Sequence, residues 1–363
     1  MGRLPWMGML MAAKLVLLNA QLNEDCTTPG GLHGTCVPVR DCSFVREIFA
    51  KVSSREDQLN VLRYRCGTLA GSGKVLVCCP RLVSTTGCGR LTLQNKIVGG
   101  EETEPNEFPW TVRLVYLRNG VRLFRCGGSL ISEYYVVTAA HCVVELRTYE
   151  LIAVRLGEWD TTTQVDCKEE DNGEKTCNRF PHRDIFVERV IPHDQYSRQS
   201  KNHEHDIALI KLSKRAPSTD SISPICIPTA DMASELRVDR ESFVVAGWGK
   251  SSDLDSSSIR KLKVTLPGQP MSKCTKAYAS QSVEFTENQL CVGGTAGRDS
   301  CRGDSGGPLM VIIDNHWHLA GIVSVGPVDC GTEGVPGIYT RLGSYLEWVA
   351  GRIELEASLT EVK

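Results

Sequence analysis

Beyond its first twenty residues the chain has no apolar run approaching the ~20 residues that a bilayer-spanning helix needs, so the sequence predicts a soluble mature protein. It also lacks any Asn-x-Ser/Thr sequon, which removes N-glycosylation from the expected chemistry. There is no paired Cys-x-x-Cys of the zinc-ribbon kind and no His-Glu-x-x-His of a metalloprotease. Internal repeats and low-complexity segments are missing too. Nor is there a basic stripe: 41 Lys and Arg stand against 43 Asp and Glu, a formal charge of -2, which argues against nucleic acid or an anionic membrane as partner.

What the chain does have is cysteine. Sixteen of them, an even number, run from Cys26 to Cys330, a pattern that suits disulfides in an oxidising compartment. The adjacent Cys78 and Cys79 are expected to take different partners. Arg3 precedes the apolar stretch MGMLMAAKLVLLNA, which reads as a signal peptide over residues 1–20 although Lys14 interrupts it. The expectation is a secreted, extracellular protein. At 363 residues, 41% of them hydrophobic, the chain has material for two or three domains with at least one large core.

Six cysteines fall between Cys26 and Cys79, in a span too short for a robust core of its own. Within it, FVREIFAKV places Phe44, Val45, Ile48, Phe49 and Val52 on one helical face, which predicts a disulfide-stapled module around a short helix. Residues 80–96, PRLVSTTGCGRLTLQNK, read as a linker with one isolated Cys88. From Ile97 the texture changes to short β-rich runs such as TVRLVYL, YYVVTAA, FVVAGW and LAGIVSV between turn residues, the pattern of an all-β sandwich or barrel. Only the end departs from it. Tyr345, Leu346, Trp348, Val349 and Ile353 follow Gly343-Ser344 at helical spacing and predict a closing helix, with residues 354–363 as a tail.

The stretch RDSCRGDSGGP, Arg298 to Pro308, crowds two acids and small residues around Ser305. A serine hydroxyl needs a base to become a nucleophile, and acyl transfer needs amide donors for the oxyanion. Small neighbours let the backbone turn sharply, so the N–H groups of Gly303 and Ser305 can address one point beside the hydroxyl. TAAHC supplies His141 and HDIAL supplies Asp206, widely separated in the order His, Asp, Ser. Other histidines compete for the role of base: His203 and His205 sit beside Asp206, both before it, and His316 and His318 share a face if NHWHL is a strand, where a metal pair is the alternative to exposed loop histidines.

With IVGG at Ile97, TAAHC, HDIAL and DSCRGDSGGP in hand, residues 97–353 resemble the chymotrypsin-like serine proteases. The resemblance implies two six-stranded antiparallel β-barrels with a C-terminal helix. It makes His141 the general base, Asp206 its orienting carboxylate, Ser305 the nucleophile, and the Gly303 and Ser305 amides the oxyanion hole. Asp299, six residues before Ser305, takes the place of trypsin's specificity carboxylate, implying cleavage after Arg or Lys. Ser300, Ser324, Gly326 and Gly337 complete the implied substrate-binding set, while Val325 stands where the family usually carries an aromatic. The resemblance further implies a zymogen cut between Lys96 and Ile97, the new α-ammonium of Ile97 pairing with Asp304.

Residues 26–79, ending in CCP, resemble the clip domain of arthropod secreted proteases. Cysteine positions alone leave the connectivity open. The two resemblances imply Cys26 with Cys78, Cys36 with Cys66, Cys42 with Cys79, Cys88 with Cys226, Cys126 with Cys142, Cys274 with Cys291 and Cys301 with Cys330, which leaves Cys167 for Cys177. That last pair closes an acid-rich insertion, DCKEEDNGEKTC, whose bland reading is a solvated loop. Just before it Glu158, Asp160, the Thr163 carbonyl and Asp166 offer calcium-type oxygens, and related proteases often bind a structural calcium there. No cofactor is needed for the chemistry. The implied protein is a haemolymph endopeptidase of a melanisation or Toll cascade, with a secreted proprotein as substrate, an upstream activating protease and a serpin inhibitor. A non-catalytic clip-domain scaffold is the alternative.

Overall fold

The structure is a computed structural model that describes residues 22–69, 71–91, 101–169, 173–250, 257–327 and 329–360. The expected leader and the Lys96–Ile97 bond lie outside the described residues. The chain divides into two compact units, one of residues up to Arg81 together with those from Ala350 on, the other Leu82–Val349.

The smaller unit has a four-stranded antiparallel sheet in the order Asp25–Thr27, His33–Pro38, Val75–Pro80, Arg65–Thr68, with helices Ser43–Ala50 and Arg55–Leu62 in the connection. Ser54 caps the second helix, accepting from Asp57 N while the Asp57 carboxylate accepts from Ser54 N. Phe44, Val45, Val61, Tyr64 and Val77 form the core, with Ile48 and Val52 packed against it. Phe49 differs from the sequence expectation and is 63% exposed. At 100° per residue it lies at the edge of the arc that Phe44, Val45 and Ile48 already fill.

The C-terminal helix runs Leu346–Thr360, so the boundary read after Ile353 falls inside it. Its second half belongs to the smaller unit. Glu354 is 0% exposed and accepts from Thr28 Oγ1 at 2.5 Å, Gly30 N at 2.6 Å and Tyr64 Oη at 3.1 Å. Leu355 packs on the core, and Gly351 is required because a Cβ there would come 2.6 Å from the Phe44 ring. A buried glutamate with three donors looks, in sequence, like a solvent-facing residue of a tail.

In the larger unit the strands β1 Thr111–Arg118, β2 Val121–Leu130, β3 Tyr135–Thr138, β4 Glu150–Leu156, β5 Arg183–Pro192 and β6 Ala208–Leu212 close a barrel in the order β5-β6-β3-β2-β1-β4. A second six-stranded set, β7 Ser242–Gly247, β8 Leu262–Gln269, β9 Gln289–Gly293, β10 Pro308–Ile313, β11 His316–Val325 and β12 Pro336–Arg341, closes through the β7–β8 pairing. Alternating inward residues fill the second barrel with Phe243, Val245, Leu266, Leu290, Val292, Leu309 and Tyr339. The linker, as far as it is described, is irregular but stitched down: Ser84 Oγ exchanges bonds with Ile227, and Gly89 donates to Pro224 O and accepts from Trp317 N. Gly89 sits at φ +54°, where a Cβ would meet Trp317 O at 2.2 Å.

All sixteen cysteines are paired, in eight disulfides: 26–78, 36–66, 42–79, 88–226, 126–142, 167–177, 274–291 and 301–330. Cys88–Cys226 lies wholly within the larger unit. The acid-rich insertion is a small hairpin, Cys167–Glu169 against Lys175–Cys177, rather than a bare loop.

Candidate active site

The site is assembled where loops leave the strands. β3 ends at Thr138 and runs into the 3₁₀ turn Ala140–Cys142 that carries His141, Asp206 immediately precedes Ile207 and β6, and Ser305 precedes β10. Asp206 Oδ2 lies 2.8 Å from His141 Nδ1 and Oδ1 accepts from His141 N at 2.9 Å. Ser324 Oγ donates to Oδ2 at 2.5 Å, and Thr340 Oγ1 donates to the Asp206 carbonyl at 2.9 Å. Burial alone would raise the Asp206 carboxyl, but the His141 charge and the bonds from His141 and Ser324 hold it below the usual carboxylate range. An ionised carboxylate only accepts, so Nδ1 carries the imidazole proton and Nε2 keeps a lone pair for a hydroxyl. His205 is occupied elsewhere, stacked 4.6 Å from His193 and bonded to Tyr345 Oη at 3.2 Å.

Ser305 is pinned beside that turn through its carbonyl, which accepts from Gly127 N at 2.8 Å and touches Cys142 Sγ at 3.7 Å. Gly303 adopts φ +110°, a region closed to most side chains, and a Cβ there would approach Gly249 Cα to 3.0 Å. Around the serine, Gly306 N donates to Val323 O and Gly307 N to Asp304 O, while the Gly303 and Ser305 N–H groups meet no acceptor among the described residues. They are the two donors expected of an oxyanion hole.

Asp299 lies between β9 and β10. Gly331 N donates to its Oδ2 at a long 3.4 Å, and Oδ1 is buried without a partner among the described residues. Burial, opposed by the Gly331 and Ser300 N–H groups, pushes its carboxyl up to about 6. A Cβ on Gly337 would point 3.5 Å from Asp299 Oδ1, so that glycine keeps the space beside the carboxylate clear, while a Cβ on Gly326 would meet nothing within 4 Å. Ser300 Oγ and Tyr339 Oη are 3.0 Å apart in the same wall. Tyr339 and Thr340 escaped the sequence reading, although GIYT places them just past Gly337 on one strand. Ser324, expected at the substrate, turns its hydroxyl to Asp206.

The Asp304 carboxylate is held by backbone donors. Its Oδ1 accepts from Gly249 N at 2.8 Å and Oδ2 from Cys301 N at 3.0 Å, and a Cβ on Gly247 or Gly249 would fall on the carboxylate. Burial raises its pKa against those two donors, and no cation meets it among the described residues.

Of the calcium-type residues, Glu158 and Asp166 meet at one donor, both accepting from Trp159 N, at 3.2 and 2.8 Å. Glu158 accepts from Arg155 at 3.2 Å, Asp160 from Arg260 at 3.0 Å, and Asp166 from Trp159 N at 2.8 Å and Thr163 Oγ1 at 2.7 Å. The three carboxylates form no metal-ligand cluster among the described residues, and arginines already neutralise two of them. The set read from the sequence therefore does not fit a calcium cage. His316 and His318 form no such cluster either; His316 is exposed, and His318, which is buried, bonds His316 O at 3.1 Å.

The family model described as Trypsin matches residues 97–349, and that of the Regulatory CLIP domain of proteinases matches residues 26–79. The chain is 40% identical over 360 residues to Serine protease ea of Drosophila melanogaster, covering 91% of each. It is 37% identical to Melanization protease 1 of the same organism, covering 90% of this chain and 92% of that protein. With Phenoloxidase-activating factor 3 of Holotrichia diomphalia it shares 34% identity over 96% of this chain and all (100%) of that one. The crystal structure of the Drosophila Grass clip serine protease of the Toll pathway superposes with a TM-score of 0.65 at 33% identity, covering 92% of this chain and 98% of that chain. The two barrels are thus the chymotrypsin-like fold, and the chain belongs to the trypsin family of serine endopeptidases, in its clip-domain branch.

Proposed function

We propose that the protein is the secreted zymogen of a trypsin-like endopeptidase, cut between Lys96 and Ile97, that cleaves after Arg or Lys in another secreted proprotein. The observation that carries this reading is the Oδ1 of Asp299, buried beside Gly337 with no partner among the described residues, within the same unit as a satisfied His141–Asp206 pair. A guanidinium or ammonium entering there supplies the missing donors as a charge-assisted pair. The scissile carbonyl then lies at Ser305 with its oxygen toward the Gly303 and Ser305 N–H groups. His141 Nε2 takes the hydroxyl proton and later gives it to the leaving amine, while Asp206 keeps the imidazole in the Nδ1–H tautomer and offsets the imidazolium charge.

Asp304 supplies the latency. Its carboxylate, sunk among Gly247, Gly249 and Cys301, takes the Ile97 α-ammonium after the cut and fixes the Gly303 amide, two residues before the nucleophile. The names of the relatives, a melanization protease and phenoloxidase-activating factors, support a haemolymph cascade as the setting and a protein zymogen as the substrate, with an upstream protease and a serpin as partners. The test is hydrolysis of paired chromogenic peptides ending in Arg, Lys or Phe, before and after cleavage at Lys96. Activity only after the cut, and only on Arg and Lys, is expected. A cut chain with Ile97 as its N-terminus and no activity on any peptide overturns the reading.

A further inference from the structure

The first barrel carries an arginine rim that the chemistry above does not use. β1 and β2 are joined at Asn119-Gly120, both at positive φ (+49° and +79°), a tight two-residue hairpin turn. Arg122, beyond the turn, is tied to Asp184 at 3.2 Å. Arg118 and Arg125 are exposed and both lie on the Tyr149 ring, their guanidinium carbons 5.0 and 4.1 Å from its centre. Arg118 Nη1 also donates to Tyr149 Oη at 3.0 Å. Arg147 is exposed in the turn that closes from Tyr149 N to Leu146 O. Among the described residues none of these three arginines forms an ion pair with a carboxylate, and Glu150, Cα-paired with Leu117 at the same edge, pairs with none of them. A guanidinium stacked on a ring is held in orientation while the donors on its edge stay free for a carboxylate.

The position of the rim gives it a use. Arg125 is followed by Cys126, whose disulfide partner Cys142 follows His141, and the two sulfurs lie with a His141 ring nitrogen inside 4.8 Å of one another. The next residue, Gly127, holds the Ser305 carbonyl at 2.8 Å. Because the histidine protonates the leaving amine, the half of the substrate that follows the scissile bond departs on the His141 side. That path crosses the Cys126–Cys142 disulfide and arrives at Arg125 and Tyr149. The basic residue before the bond lies the other way, at Asp299 of the second barrel.

We propose that Arg118 and Arg125 on Tyr149, with Arg147, recognise acidic side chains two to four residues after the scissile bond. The enzyme then selects proproteins in which a basic residue is followed shortly by acids. This inference rests on the endopeptidase reading and names its substrate class more narrowly.

The experiment uses the full chain cut at Lys96 and two quenched fluorogenic peptides, identical up to the scissile Arg, with Glu-Glu or Gln-Gln at the second and third positions after it. A chromogenic peptide that ends at the Arg controls for folding and chemistry. The Glu-Glu peptide is expected to show about tenfold higher kcat/KM, mostly through KM, with the advantage shrinking as salt is raised. In the Arg118→Ala/Arg125→Ala double variant the ratio falls to near one while the chromogenic peptide is hydrolysed as before. Equal rates on the two peptides in the unaltered enzyme, or a preference that survives the double variant, overturn the proposal. So does a rim whose only measurable occupant is a sulfated polysaccharide such as heparin. If the unaltered enzyme fails even on the chromogenic peptide, the endopeptidase reading has failed; affinity of the Ser305→Ala chain for the two peptides then decides the rim by itself, tighter Glu-Glu binding supporting it and equal binding contradicting it.

Discussion

Asp206 and Asp299 belong to the same unit and are treated in opposite ways. Asp206 receives three donors at 2.5–2.9 Å and is held ionised in spite of burial. Asp299 has only the Gly331 N–H, at a long 3.4 Å, and the Ser300 N–H to oppose its burial, leaves an oxygen bare among the described residues, and has its carboxyl raised to about 6. A carboxylate satisfied from within can only position its neighbour; one left wanting is a site for a cation from outside. Asp304 belongs with Asp299 on this scale, since two backbone donors do not offset its burial.

Substitutions should separate the two kinds. Asp206→Asn is expected to cost about 10⁴-fold in kcat on an Arg peptide with KM little changed, the magnitude being that of the serine-protease template. A loss that fell on KM instead would break the comparison. Asp304→Asn, cut and bearing Ile97 as its N-terminus, should lose about 3 to 5 kcal/mol of transition-state stabilisation, because a buried pair has lost one partner. Near-normal turnover by that variant would remove the α-ammonium from the scheme. Asp299→Asn should lower kcat/KM on Arg and Lys peptides by about 2 to 5 kcal/mol and erase their advantage over Phe.

The same residue makes a stability prediction of opposite sign. With the folded-state carboxyl raised to about 6, ionising it costs the folded chain up to about 3 kcal/mol, so this group weakens the fold as pH climbs from about 4 to 6. Asp299→Asn should therefore be more resistant to urea at pH 7 than the unaltered chain, and no less so at pH 4. The smallest effect is expected in the other unit. Glu354→Ala strands the donors of Thr28, Gly30 and Tyr64 and should destabilise that unit by about 1 to 3 kcal/mol in denaturant, leaving peptide kcat/KM unchanged.

The His141–Asp206 pair was legible in the sequence because the acyl transfer proposed for it fixes the immediate neighbours of its residues: small residues around Ser305, an apolar strand before His141 and another after Asp206. The barrels were legible through short β-rich runs and turn residues. What supports the site was not. Ser324 and Thr340 reach Asp206 from more than a hundred residues away, and nothing in their own surroundings marks them. Glu354 and the helix beyond Ile353 were hidden for a related reason, since a buried glutamate is recognisable only once its donors are in place. The acidic run near Asp160 misled in the opposite direction: oxygen ligands at suggestive spacing are claimed by Arg155 and Arg260, which lie outside the run.

The most direct test of the contrast between satisfied and unsatisfied carboxylates is the affinity of benzamidine, an aryl amidine, for the cut Ser305→Ala chain by calorimetry between pH 5 and 8, with Asp299→Asn in the same background as control. The expected result is binding that weakens about tenfold per pH unit below about 6, as protonation removes the carboxylate, and that the control lacks. Binding that ignores pH, or that Asp299→Asn leaves intact, would contradict the assignment of Asp299 as the cation site.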